Sequence, residues 1–470
     1  MLFNSYEYPF FLIILLTLYW SFGQKRIRLQ NYLLLGASYI FYAWWDWRFL
    51  CLIWVITFAN FVFGNKIVEA QSERQRRCFL YASIITSLGI LGTFKYFNFF
   101  VDSWILAWKT LGYSWSESTA VIILPVGISF YTFQALSYTI DIYRRQLQPT
   151  RNVSEFAVYI AFFPQLVAGP IVRAKTLLPQ FAVPRKWSVL QMKEGLFQIM
   201  VGFIRKVIIA DTIGQYVDVV YGNSGAHSSI TLLVATILYG FQIYFDFAGY
   251  SDIAIGTAKL FGFRFKPNFN LPYFATGLSE FWRRWHISLS TWLRDYLYIS
   301  LGGSRYGSLR THSNLIVTML LGGLWHGSNW TFVLWGGIHG VALSLERAFR
   351  GRLTGGVPLL VRWVLTFSVI NLGWVFFRSE SIGQGIFIVK KFYAPDFNSL
   401  FIPDINIFAT ALAGLLIGVS FDCLLKFRTT ELEKIGGQLP DPVFIGAIVL
   451  MFTSLVLFAS SAQNFIYFQF

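Results

Sequence analysis

Charge is what this 470-residue sequence has least of: Asp, Glu, Lys and Arg together make up 13% of it, about half the share of an ordinary soluble domain. A water-soluble fold of this composition would have nowhere to hide its apolar surface, whereas a bilayer accepts that surface as solvent. Cysteine is scarce as well. Cys51, Cys78 and Cys423 stand far apart in or beside apolar runs, with neither metal-ligand spacing nor a disulfide framework, and are expected to be small core residues. No Gly-x-Ser-x-Gly elbow, His-Glu-x-x-His, Cys-x-x-Cys or phosphate-binding loop occurs. Serine-hydrolase, zinc and nucleotide-hydrolysis chemistries therefore lose their usual support. The absence of internal repeats and low-complexity linkers gives a single domain over 1–470.

What is present is apolar and aromatic. Hydrophobic residues are 55% of the chain, aromatics 19%, and the mean hydropathy is +0.54. The net charge of +15 does not point to nucleic acid, because Lys and Arg sit in short clusters between apolar runs, as in cytoplasmic loops of membrane proteins. Spans of about 20 apolar residues are read near 8–23, 29–45, 49–64, 78–94, 119–140, 195–220, 229–249, 314–335, 358–377, 405–425 and 443–462. The fold class is thus an all-α integral membrane protein with about 11 transmembrane helices, multi-pass in the cell membrane. Clusters at Lys25/Arg26/Arg28, Lys66/Arg74/Arg76/Arg77 and Arg144/Arg145/Arg151 all face the cytoplasm if the N-terminus is outside. That requires 95–118, and similarly Glu155–Pro170, to return without crossing, as re-entrant or surface segments lining a cavity.

The most polar stretch, Arg264–Arg310, contains an amphipathic helix at Ser279–Ser300. Phe281, Trp282, Trp285, Leu289, Trp292, Leu293 and Tyr296 share one arc, with Glu280, Arg283, Arg284, Ser288, Thr291, Arg294 and Asp295 on the other. Such a helix is expected to lie in the membrane interface, with His286 at the edge of its apolar arc. Of the other histidines, His227 and His312 fall in polar loop sequence and are expected to be solvated. His326 and His339 lie in the hydrophobic stretch Leu315–Leu345. An ionisable residue at membrane depth is costly and marks function by default, although a packing histidine bonded to a carbonyl fits the spacing equally well. Imidazole suits transfer of an acyl group from a thioester to a hydroxyl, because it takes the hydroxyl proton at neutral pH. Asp141, Arg205, Lys206, Asp211, Asp246 and Asp252 also sit in apolar surroundings. They read either as mutual structural pairs or as the cation relay of a secondary transporter or flippase.

Several strings together resemble one family. They are Lys95–Phe100, Leu124–Gln134, Phe162–Pro170, Tyr244–Ala258, Lys266–Asn270, Phe281–Ser290, Leu324–Gly327, Gly373–Arg378 and the closing Asn464–Phe470. In this order, and above all in Trp-His-Ile-Ser-Leu-Ser followed by Leu-Trp-His-Gly, the chain is similar to the membrane-bound O-acyltransferases, within the branch that acetylates alginate and related polysaccharides. The resemblance implies a ring of tilted helices around a central funnel. It implies a catalytic His326 in a hydrophobic helix, assisted by His286, with His339, Asp295, Arg283 and Trp325 as candidate supporting residues. No tightly bound cofactor is implied; acetyl-CoA or another cytoplasmic acyl thioester is the donor. An extracytoplasmic acetyltransferase- or esterase-like protein is the implied partner that receives the acetyl group. D-alanyl transfer to teichoic acid carries the same signatures and stays open.

Overall fold

The computed structural model describes residues 1–470 except 24–25, 114–121, 350, 352–355, 394, 397–399, 403, 429–431, 459–464 and 467–470. Lys25 of the first basic cluster, the start of the 119–140 span and the end of the 443–462 span lie outside the described residues. All regular structure among the described residues is helical. The chain packs as two compact units, Met1–Val189 with Ala258–Phe265, and Leu190–Thr257 with Lys266–Phe470.

The first unit contains α1 (Glu7–Gly23), α2 (Ile27–Asp46), α3 (Leu50–Glu69), α4 (Glu73–Leu91), α5 (Phe97–Thr110), α6 (Ile128–Tyr143), α7 (Val153–Ala161), α8 (Phe163–Leu166) and α9 (Ala174–Phe181). Ser72 starts α4 by accepting from the Gln75 amide, an ordinary N-cap. α4 and α5 then run on through one π-helical stretch at Gly92–Tyr96, giving an apolar helical run of 38 residues. The expected turn back over 95–118 is therefore absent as far as Thr110. The wider π turn absorbs the irregularity, and Lys95, on that turn, is buried beside Ser129.

The second unit begins with α10 (Val189–Phe203) and α11 (Asp211–Gly222), joined by a π-helical stretch at Ile204–Ala210. It continues with α12 (Ser229–Leu260), whose last turn belongs to the first unit. Next come α13 (Leu278–Arg284), α14 (Ile287–Trp292), α15 (Ser308–His326), α16 (Trp330–Ala348), α17 (Leu359–Arg378), α18 (Ile382–Tyr393), α19 (Ile405–Arg428), α20 (Leu432–Gln438) and α21 (Asp441–Phe458). Two expectations are corrected here. The single span at 314–335 is a helical hairpin, because Gly327-Ser328-Asn329 turns the chain and the Asn329 side chain caps α16 through the Thr331 amide. The continuous interfacial helix at 279–300 is broken at Trp285–His286. Its apolar arc is buried in protein, with Phe281, Trp285 and Leu289 all inaccessible, so protein and not lipid covers it.

Five helical stretches among the described residues are long and apolar enough to cross a membrane: Ile27–Glu69, Glu73–Thr110, Ser229–Leu260, Leu359–Arg378 and Ile405–Lys426. Their outward faces are apolar. On α19 and α21, Ile405, Leu416, Ile417, Leu450, Phe452 and Leu457 are all more than half exposed, which only hydrocarbon makes favourable. Cys51 and Cys78 are exposed in the same way and not core residues as expected, since in a bilayer an apolar side chain gains nothing by facing inward.

The α15–α16 hairpin closes on glycine. A Cβ on Gly323 would lie 2.2 Å from the Phe332 carbonyl oxygen, and one on Gly336 2.2 Å from that of Met319. Neither obstacle is a side chain that can swing away. Gly323→Ala is expected to destabilise the protein by ~1–3 kcal/mol through overpacking and to displace His326, three residues on. Gly337→Ala, where a Cβ meets only a Leu320 methyl at 3.4 Å, should be neutral. Thermal unfolding of both variants in detergent checks this; equal melting curves would contradict the packing argument.

Candidate active site

His286 and His326 lie together inside the second unit. The extended segment before α13 holds the first. The Asn270 amide donates to the Arg284 carbonyl at 2.9 Å, and the Ile287 amide to the Asn268 carbonyl at 2.8 Å. Pinned between these two bonds, His286 takes φ +40°, a left-handed conformation that non-glycine residues adopt at a cost. The Ser290 amide bonds to the His286 carbonyl and starts α14.

The Asn268 side chain fixes the protonation pattern of this ring. Its Oδ1 accepts from the Ser288 amide at 3.1 Å and the Ser288 hydroxyl at 2.9 Å, while its Nδ2 donates to Ser251 Oγ at 3.2 Å. A backbone N–H only donates, so the amide cannot be flipped. His286 Nδ1, 3.2 Å from that Oδ1, must therefore carry the proton, leaving Nε2 as a lone pair. His286 is fully buried, and among the described residues its Nε2 has no partner. It lies between two short helices, outside the spanning helices, and burial pushes its imidazole down to about 3. The ring is neutral across the physiological range.

His326 is the last residue of α15 and 4% exposed. Its ring lies 6.4 Å from that of His286, centroid to centroid. Trp325 and Trp335 stand edge-on at 5.0 Å each and Phe377 at 5.4 Å, while Phe247 packs edge-on against His286 at 4.6 Å. Aromatic walls exclude bulk water, which strengthens each polar contact inside.

The other residues singled out in the sequence divide. Trp325 joins the pair, 5.8 Å from His286 as well as beside His326. His339, fully buried, is reached through Trp335, whose ring is 5.0 Å away. Asp295 pairs instead with the exposed Arg294 at 2.7 Å, and Arg283 is exposed on α13. His227 is not solvated; it is buried with its ring 4.5 Å from Phe401. His312 is in α15, bonded to Ser308 and Ser344. Asn268, Phe247, Trp335 and Phe377 were not singled out individually. Asn268 lies in the Lys266–Asn270 string, and Trp335 stands one helical turn before His339, so both had a signal.

Of the six charges singled out in the sequence, Arg205, Lys206, Asp211, Asp246 and Asp252 form ion pairs with one another or with Asp422. Arg205 bridges Asp252 at 2.6 Å and Asp422 at 2.9 Å, and Lys206 bridges Asp211 at 2.6 Å and Asp246 at 2.5 Å. Tyr244 donates to Asp422, Gln198 to Asp252, and the Ile466 amide to Asp246. Both cations come from the π-helical stretch, and this is the structural pairing that the sequence left open against a cation relay.

A model of the membrane-bound O-acyltransferase family matches residues 9–377. The probable alginate O-acetylase AlgI of Azotobacter vinelandii is 43% identical over 430 residues, 89% of this chain and 84% of that protein. The Pseudomonas aeruginosa protein of the same description is 46% identical over 81% of this chain and 73% of its own length. A peptidoglycan O-acetyltransferase of Helicobacter pylori is 37% identical over 75% of this chain and 72% of its own.

Proposed function

Because the chain belongs to the membrane-bound O-acyltransferase family and is a multi-pass membrane O-acyltransferase, we propose that it moves acetyl groups from a cytoplasmic thioester, acetyl-CoA, towards hydroxyls of an extracytoplasmic glycan of the alginate or cell-wall type. The observation that carries this reading is the pair of buried histidines, rings 6.4 Å apart, with His326 at the end of a glycine-packed hairpin helix. In it, His326 accepts the hydroxyl proton as the oxygen attacks the thioester carbon, and returns a proton to the departing thiolate. His286, with Nδ1–H committed to Asn268, offers its Nε2 lone pair to orient a donor hydroxyl. The acetylase descriptions of the relatives favour acetyl over D-alanyl as the cargo. Placement in the inner membrane, about eleven crossings around a funnel, and hand-over to a separate extracytoplasmic acetyltransferase- or esterase-like protein complete the proposal.

Purified protein in lipid vesicles, given radiolabelled acetyl-CoA outside and an oligosaccharide acceptor or the partner protein inside, tests it. Label is expected on the inner acceptor for molecules whose cytoplasmic face is outward. Ion-driven movement of unmodified glycan with acetyl-CoA unconsumed would replace the acyltransferase reading by a flippase.

A further inference from the structure

Three rings of the second unit have buried nitrogens with no hydrogen-bond partner among the described residues: His339 at either nitrogen, Trp335 at Nε1 and the half-buried Trp282 at Nε1. His339 is 0% and Trp335 1% exposed. Such groups lose water on folding and regain nothing from protein, so native structures seldom leave them without a purpose. Two of them converge. Measured from the point that a Cβ on Gly373 would occupy, His339 Nε2 lies at 2.8 Å and Trp335 Nε1 at 3.3 Å. Only a glycine on α17 lets both nitrogens come this close. The rings are held by packing and not by polar bonds. Trp335 stacks on Trp374 at 5.9 Å and 21°, and Trp282 closes on His339 edge-on at 5.2 Å. Trp335 also stands 5.0 Å from His326.

Indole N–H only donates, and a neutral imidazole always carries one N–H. A corner offering two donors and no carboxylate fits an oxygen that gains negative charge. We propose that Trp335 Nε1–H and His339, protonated at Nε2, form the oxyanion-binding corner for the thioester carbonyl, which makes both of them catalytic residues. The proposal rests on the acyltransferase reading above. In the step, His326 takes the proton of the acceptor hydroxyl and its oxygen bonds to the thioester carbon. The carbonyl π pair moves onto oxygen, where the two N–H groups meet it. That pair then re-forms C=O, the C–S bond breaks, and the thiolate leaves with the proton held by His326. Donors already aimed and dry need no reorganisation as the charge develops, which is where such groups contribute most.

Trp335→Phe keeps the ring stack and deletes one N–H; His339→Phe deletes both nitrogens of the second ring. In vesicles with radiolabelled acetyl-CoA, each is expected to lower kcat by ~10²–10³-fold while the KM for donor stays near wild type. Infrared spectra of acetyl-CoA labelled with carbon-13 at the carbonyl, bound to the inert His326→Gln protein, give a readout independent of turnover. The carbonyl band should lie below its position in buffer and move back when Trp335→Phe is added. A wild-type kcat and an unmoved band in both ring variants, with His326→Gln inert, would refute the corner and spare the acyltransferase reading. No acetyl transfer by the wild-type protein would remove that reading, and the corner with it.

Discussion

His326→Gln should lose acetyl transfer by ~10²–10⁴-fold, the usual contribution of a general base, while the protein inserts and melts as the wild type does. Glutamine preserves length and hydrogen bonding but cannot accept the hydroxyl proton at neutral pH. A merely packing or positioning histidine would tolerate it. His326→Ala should be as inactive and also less stable, because it leaves a cavity among Trp325, Trp335 and Phe377. His286→Asn should be milder: asparagine can still hydrogen-bond from the same left-handed position, which it tolerates better than most residues. Initial rates with radiolabelled acetyl-CoA, read beside melting curves, separate these outcomes. Substantial transfer by His326→Gln would leave His326 as a positioning residue and place the proton elsewhere.

His326 and His339 were legible because the cost of an ionisable group in an apolar run is a local property, whereas His286, in the most polar stretch, was singled out through the family resemblance. Helical periodicity picked out the apolar face of 281–296, but it could not tell a face turned to the membrane interface from one buried in protein, which is what the structure has for Phe281, Trp285 and Leu289. It could not show the break at Trp285–His286. Neither residue is glycine or proline, and the break is held by bonds from Asn268 and Asn270, distant in sequence and close in space. The hairpin at Gly327–Asn329 was masked for the opposite reason. Its turn residues are ordinary signals, but apolar sequence on both sides made one continuous run of what are two helices. Asp422 was overlooked inside the 405–425 span because its partner Arg205 is more than two hundred residues away. The exposed cysteines show a general inversion: hydropathy sorts inside from outside in water, and loses that power where the outside is lipid.

Arg205→Met should be the most damaging change away from the histidines, lowering stability by ~3–5 kcal/mol, the cost of leaving buried charges without their partner. Arg205 holds Asp252 on one guanidinium nitrogen and Asp422 on the other, so the substitution strands two carboxylates at once. Asp252→Asn should cost less, because Arg205 keeps Asp422 and the new amide can still meet Gln198, which now donates to Asp252. Arg205→Met combined with Asp252→Leu and Asp422→Leu should recover much of the loss, since exchanging a whole buried ion group for apolar side chains is often neutral or better. Thermal unfolding in detergent, followed by size-exclusion fluorescence, ranks the three proteins. A cation relay predicts a different order. There, Arg205→Met and Asp252→Asn would both fold normally and fail only in ion movement, because a relay needs groups that exchange protons and not groups that stay paired. The same melting curve for Arg205→Met as for wild type would return these carboxylates to the transport reading and remove their role in holding the Ile204–Ala210 stretch to α12 and α19.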